Sequence, residues 1–231
     1  SSPGQVANVM RRAFAALRLG HGGPAMVEIP SDLALADVDT TVVDAYRPVH
    51  PVRSSADPAD VQRVASALLG ARHPVLLCGQ GVLYARATHE LVELAELLQV
   101  PVATTNVGKS AFPEKHPLAL GVGASVITDP VRKFLHRADL VVCIGTSLTK
   151  HVMSMPIPAG KKIIHSTNNP SDIAKDYDVD IAAIGDAKLV LQQLLEACQE
   201  QGRSRPDGGD TSVASEIAKV RRNWLAEWAP K

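Results

Sequence analysis

The sequence predicts an α/β fold: a six-stranded parallel sheet with helices on both faces. Three observations predict it. Between residues 57 and 200, short apolar runs alternate with amphipathic stretches, the pattern of strand–helix–strand crossovers. The apolar runs are continuous, Leu140-Val141-Val142-Cys143-Ile144 above all, as expected of strands buried on both faces. The 231 residues are 45% hydrophobic but only 3% aromatic, so the core must be built from Ala, Val, Leu and Ile, which suits a helix-covered parallel sheet. The expected arrangement is Rossmann-like.

Along the chain, residues 5–19 read as a helix, with Val6, Val9, Met10, Ala13, Phe14 and Leu17 at helical spacing and Gly20 at its end. A short strand, Ala25 to Ile29, follows and closes at Pro30. One helix and one strand make no domain, so residues 1–30 read as the end of a larger unit. Residues 31–56 hold Pro48, Pro51 and several Asp without a sustained period, and read as a linker. Asp57 and Pro58 then form a helix start, and Val61, Val64, Ala65, Leu68 and Leu69 its apolar face. Strands are expected at 74–78, 101–104, 118–120, 140–144, 162–165 and 179–184, and helices at 85–98, 128–136 and 186–198. Residues 201–212 are rich in Gly, Ser, Asp and Pro and read as a second linker. From Val213 an amphipathic stretch places Ile217, Val220, Trp224 and Trp228 on one face, a packing surface.

Formal net charge is zero and no basic stripe appears, which points away from nucleic acid and from anionic membrane surfaces. No apolar run reaches 18 residues, so no membrane helix is expected. Cys78, Cys143 and Cys198 are far apart, two of them inside strand-like runs, as for reduced buried thiols in a cytoplasmic protein. The histidines show no metal-ligand spacing, no Gly-x-Ser-x-Gly elbow occurs, and Asp207-Gly208-Gly209-Asp210 lies in a linker, so neither a metal ligand nor a catalytic residue is assigned.

The candidate ligand contacts lie after strands. Gly79 and Gly81 follow the first central strand, where backbone N–H groups could approach a phosphate, or where a tight turn simply needs glycine. Tyr84 stands where a dinucleotide fingerprint wants a third glycine, and Thr104 and Thr105 where it wants an acid. Gly145, Thr146 and Ser147 end the central strand at the sheet edge where ligands bind in open parallel sheets. The turn from His165 to Pro170, with Thr167 and Asn168, could meet an adenosine or cap a helix, and Asp186 reads as a helix cap.

Several phrases together resemble the thiamine-diphosphate enzymes of the acetolactate synthase, benzoylformate decarboxylase and oxalyl-CoA decarboxylase type. Gly22-Gly23-Pro24-Ala25-Met26-Val27-Glu28-Ile29-Pro30-Ser31-Asp32 is similar to the close of that family's pyrimidine-binding domain. Arg72 to Val82, Pro101 to Thr105 with Gly108-Lys109, Phe112 to Leu118 followed by Gly121, Ala138 to Thr146, and Ile163 to Ala187 are similar to its central domain, in order and at consistent spacing. The resemblance implies a DHS-like, NAD/FAD-binding type of architecture. It implies a remnant of the pyrimidine domain in 1–30 and the start of the diphosphate-binding domain in 213–231. It also implies a parent that uses thiamine diphosphate and Mg²⁺ on 2-keto acids or related carbonyls as a lyase or transferase, assembled as a homodimer or homotetramer. The activating glutamate and the Gly-Asp-Gly…Asn motif of that family are not in this chain, so the piece alone is expected to be inactive and to lack the cofactor.

Some relatives bind FAD or ADP in this domain. They carry acids where this chain has Thr167 and Asn169, and the synthases carry Arg-Phe-Asp-Asp after the glycine that matches Gly145. Both departures count against a nucleotide here and against acetolactate synthase itself. The alternative is a stand-alone FAD-, ADP- or NAD-binding module of the same architecture, resembling sirtuin or electron-transfer-flavoprotein domains. An NAD-dependent dehydrogenase is disfavoured by Tyr84 and the missing acid.

Overall fold

A computed structural model describes residues 2–123, 127–154, 156–201 and 212–228. The chain forms two compact units, Ser1–Arg53 and Ser54–Lys231.

In the first unit a 3₁₀ turn, Pro3–Gln5, leads into α1 (Val6–Arg18), followed by α2 (Ser31–Ala34) and α3 (Thr40–Asp44). Asp39 caps α3 by accepting the Thr41 N–H at 2.9 Å. Phe14 of α1 meets Tyr46 edge to face, and Arg18 lies over the Phe14 ring and donates to the Val49 carbonyl at 2.9 Å. None of these three helices contains a fully buried residue. The strand expected at Ala25–Ile29 does not form; its residues carry no ladder, and Met26 is 86% exposed. A strand exists only with a partner, and the described part of this unit offers none. The expected linker 31–56 instead contains α2 and α3, and its last residues belong to the second unit. There Asp186 N–H donates to the Ser54 carbonyl at 2.8 Å, and the Gln193 amide holds both backbone groups of Ala56, at 3.0 and 3.1 Å.

The second unit runs α4 (Pro58–Gly70), β1 (Pro74–Cys78), α5 (Gln80–Tyr84), α6 (Thr88–Leu98), β2 (Val102–Thr105), β3 (Ala119–Gly123), α7 (Asp129–Arg137), β4 (Leu140–Ile144), β5 (Lys162–Thr167), β6 (Ile181–Ile184), α8 (Ala187–Glu200) and α9 (Val213–Trp228). Asp57 accepts the Ala59 N–H and Pro58 fills the first turn of α4, as the sequence predicts. The helix expected at 85–98 begins only at Thr88, as α6, and a separate short helix, α5, precedes it; between the two Arg86 turns left-handed (φ 54°) and Ala87 N–H returns to the Val82 carbonyl.

All six strands are parallel, in the order β3-β2-β1-β4-β5-β6. Period-two alternation sorts each strand between two cores. Leu76, Cys78, Val142, Ile144 and Ile164 join the core formed with α4, α6 and α8. Val75, Leu77, Val141, Cys143 and Ile163 join the opposite one, with Val131, Phe134 and Leu135 of α7. Every residue of β1 and β4 is buried, which is why these strands read as unbroken apolar runs.

Helix α9 completes the second core. Ile217 is fully buried there, Glu216 pairs with Arg137 of α7, and the Arg221 guanidinium donates to the Ala119 carbonyl of β3. Trp228, expected on the packed face, is 58% exposed. The expected linker 201–212, apart from its two end residues, lies outside the described residues, as does Asp207–Asp210.

Candidate functional site

The strand order reverses between β1 and β4, so the loops leaving their carboxyl ends face one another across the place where such sheets bind ligands. Here those loops touch. Gly79 N–H donates to the Ile144 carbonyl at 2.9 Å and Gly81 N–H to the Gly145 carbonyl at 2.8 Å. A Cβ on Gly79 would lie 2.4 Å from the Gly145 oxygen, and one on Gly81 would lie 2.7 Å from the Gly145 Cα. Gly145 is left-handed at φ 62° and backs onto Val82 N, while Gly108, after β2, backs onto the Cys78 carbonyl. Four glycines thus form a backbone seam across three loops. Close approach of loop to loop explains why glycine stands at positions 79, 81 and 145.

Beside the seam, on the α7 side, lies a cavity of 340 Å³. Leu77 lies in its lining, Thr105, Asn106 and Val107 line one flank, and Thr146 to Thr149 the other. The second flank is held firmly. His165 Nε2 lies 2.8 Å from the Thr146 carbonyl, Thr146 Oγ1 accepts the Leu148 N–H at 3.2 Å, and Thr149 donates to Ser147 Oγ at 3.1 Å. Leu148 is buried at φ 50°, an unusual conformation for a bulky side chain, which such restraints have to impose.

His165 itself is fully buried on β5. Burial pushes its pKa down, against the opposing pull of the Thr146 carbonyl and Asp172, so the ring is neutral at pH 7. A carbonyl partner puts the proton on Nε2, which leaves Nδ1 a buried acceptor without a protein partner. The Cys78 and Cys143 thiols are driven upward by burial, and so is Cys198, to about 11; none is a nucleophile at neutral pH.

The remaining sequence-predicted positions lie further along the edge. Thr167 is buried and ends β5; its Oγ1 accepts the Asn169 N–H at 3.1 Å and lies 3.4 Å from Asp172 Oδ2. Asn168 is exposed at the turn that follows. Asp186 caps α8, accepting the Lys188 and Leu189 N–H groups. Of the eight residues, Thr146 and Ser147 line the cavity, Gly79, Gly81 and Gly145 build the seam, and Thr167, Asn168 and Asp186 do neither. Sequence reasoning missed Leu148 and Tyr177 in the lining and His165 as the clamp; a polar residue at the end of an apolar strand was the available sign for His165.

A doubly wound parallel sheet with a glycine seam at its reversal defines a Rossmann-like α/β domain. Residues 61–194 match the family described as "Thiamine pyrophosphate enzyme, central domain", and the chain belongs to it. It is 31% identical over 205 residues to the probable acetolactate synthase large subunit of Methanococcus aeolicus, covering 83% of this chain and 33% of that protein. Glyoxylate carboligase of Escherichia coli O157:H7 is 31% identical over 202 residues, covering 86% and 34%. Benzoylformate decarboxylase from Polynucleobacter necessarius shares the fold, with a TM-score of 0.72 at 24% identity over 92% of this chain and 39% of that one. A putative thiamin diphosphate-dependent enzyme from Mycobacterium smegmatis superposes with a TM-score of 0.70 at 26% identity, over 85% and 38%. The chain spans about a third of the length of the curated relatives it matches.

Proposed function

We propose that this chain is the central scaffold of a thiamine-diphosphate- and Mg²⁺-dependent lyase or transferase acting on 2-keto acids or related carbonyls, and that it carries none of the reacting groups itself. The family match carries this reading: acetolactate synthase and glyoxylate carboligase resemble the chain over most of its length while extending well beyond it. The donor set agrees. Among the described residues no group of three His, Cys, Asp or Glu is placed to hold a metal ion, and no Asp or Glu lines the cavity at the sheet edge. These residues therefore do not fit Mg²⁺ and a diphosphate, and no chemical step is routed through them. Their work is positional: a sheet buried on both faces, pinned at one edge by the seam, holds the segments at its two ends at fixed starting points.

In this proposal residues 1–30 end the pyrimidine-binding domain, 57–200 form the central domain, and 213–231 lead into the diphosphate-binding domain. The parent is a cytoplasmic homodimer or homotetramer. No helix among the described residues is long and apolar enough to cross a membrane.

The test is to supply the 231-residue chain with thiamine diphosphate, Mg²⁺ and pyruvate, following CO₂ release and, separately, cofactor binding by near-UV circular dichroism. Neither signal is expected. Decarboxylation by this polypeptide would overturn the proposal.

A further inference from the structure

The cavity beside the seam has a lining of unusual chemistry for a fold associated with nucleotides. Hydroxyls and an amide come from Thr105, Asn106, Thr146, Ser147 and Thr149, and apolar walls from Leu77, Val107, Leu148 and Met153. Among the described lining residues there is no Lys, Arg, Asp or Glu; the side chains that can ionise are Tyr177 and His151, whose Nδ1 accepts the Met153 N–H at 3.1 Å. Its 340 Å³ falls in the size class of small-molecule pockets, roughly 300–1,000 Å³. The His165 clamp and the left-handed Leu148 fix one flank in advance.

A diphosphate needs cations or unspent N–H donors, because burying its charge without them is prohibitively costly. Along this edge several backbone donors are spent. Gly81 N–H is committed to the Gly145 carbonyl. The first turn of α8 is capped by the Asp186 carboxylate, which would also repel a phosphate. At the turn after β5, the Asn169 N–H goes to Thr167 and the Ser171 N–H to Asn169, next to the Asp172 carboxylate. Two ammonium groups stand behind the rim: Lys150 lies over the Tyr177 ring, and Lys175 bonds the Thr149 hydroxyl at 3.3 Å.

From this we infer that the cavity is a binding site for an uncharged, nucleoside-sized heteroaromatic molecule, and that it rejects the diphosphate forms, FAD and ADP, that the architecture would suggest. The apolar walls supply most of the contact, and the hydroxyl and amide rim satisfies the ligand's ring nitrogens and carbonyls. This goes beyond the scaffold role and does not depend on it: turnover by the chain would overturn that role and leave the cavity's selectivity untouched.

Two matched pairs that differ in phosphate test the inference on the full 231-residue chain: adenosine against ADP by calorimetry, and riboflavin against FAD by flavin fluorescence. At least one uncharged member should bind with a Kd below about 1 mM. Its phosphorylated partner should bind at least about tenfold more weakly, since no Lys or Arg is among the described lining residues and the two lysines behind the rim are engaged with Tyr177 and Thr149. Ser147→Phe, which fills the cavity from its exposed rim, should abolish binding. Asn106→Ala, at an exposed position, should weaken it several-fold with the circular dichroism spectrum unchanged. Binding of ADP or FAD as tight as that of the uncharged partner would overturn the selectivity. Silence of both adenosine and riboflavin at about 1 mM, or binding that Ser147→Phe leaves intact, would overturn the site.

Discussion

A methyl group on Gly81 would sit 2.7 Å from the Cα of Gly145, with backbone on both sides and no flexible side chain to give way. Gly81→Ala should therefore cost about 1–3 kcal/mol, read as a lower urea midpoint by far-UV circular dichroism. Gly70, at the end of α4, has open space where its Cβ would be, and Gly70→Ala should be neutral or stabilising by up to about 1 kcal/mol in the same assay. His165 gives a second expectation at this scale. Its folded pKa lies below the usual 6.5, so the unfolded chain takes the proton first. The stability this provides is complete above that usual value and is lost as pH falls from there toward the lower folded value. Urea midpoints should drop between pH 7.5 and pH 5.5. His165→Gln, which retains a donor for the Thr146 carbonyl but cannot titrate, should show a flatter profile. An equally steep profile in that variant would assign the effect to other histidines.

Among the elements, α9 separates two kinds of contact. Ile217 is wholly enclosed, whereas Arg137 and Glu216 are each about 40% exposed. Ile217→Ala should cost about 2–4 kcal/mol and Glu216→Ala less than about 1 kcal/mol, both read from chemical unfolding. The elements also show what a sequence can and cannot disclose. Strands β1 and β4 were legible because burial on both faces leaves continuous apolar runs such as Leu140–Ile144. The cap at Asp57 was legible because its partner, the Ala59 N–H, lies two residues away. The strand expected at Ala25–Ile29 fails because pairing is a property of two segments, and composition reports on one. The break between α5 and α6 turns on Arg86 at φ 54°, a conformation its side chain does not announce. At the edge, Thr146 and Ser147 were singled out by the rule that ligands sit outside the carboxyl ends of parallel strands, and both line the cavity there. The His165–Thr146 clamp spans 19 residues and depends on β4 and β5 being neighbours, which no local pattern encodes.

At the scale of the molecule, the division at Arg53 and Ser54 has a direct test. The first unit has no fully buried residue in its helices, while the second contains both cores. Brief trypsin treatment should cut first near Arg47 or Arg53 and leave a fragment, identified by mass spectrometry, that retains the α/β circular dichroism of the whole. First cleavage within 57–200 would contradict this.

The four glycines at the reversal have a mechanical consequence. This chain rivets three of its strand-end loops together through main-chain atoms, with no flexible side chain between them to give way. The contour of that rim is set before any other molecule arrives. Whatever meets it is chosen by fit and gains affinity from the ordering cost already met in folding.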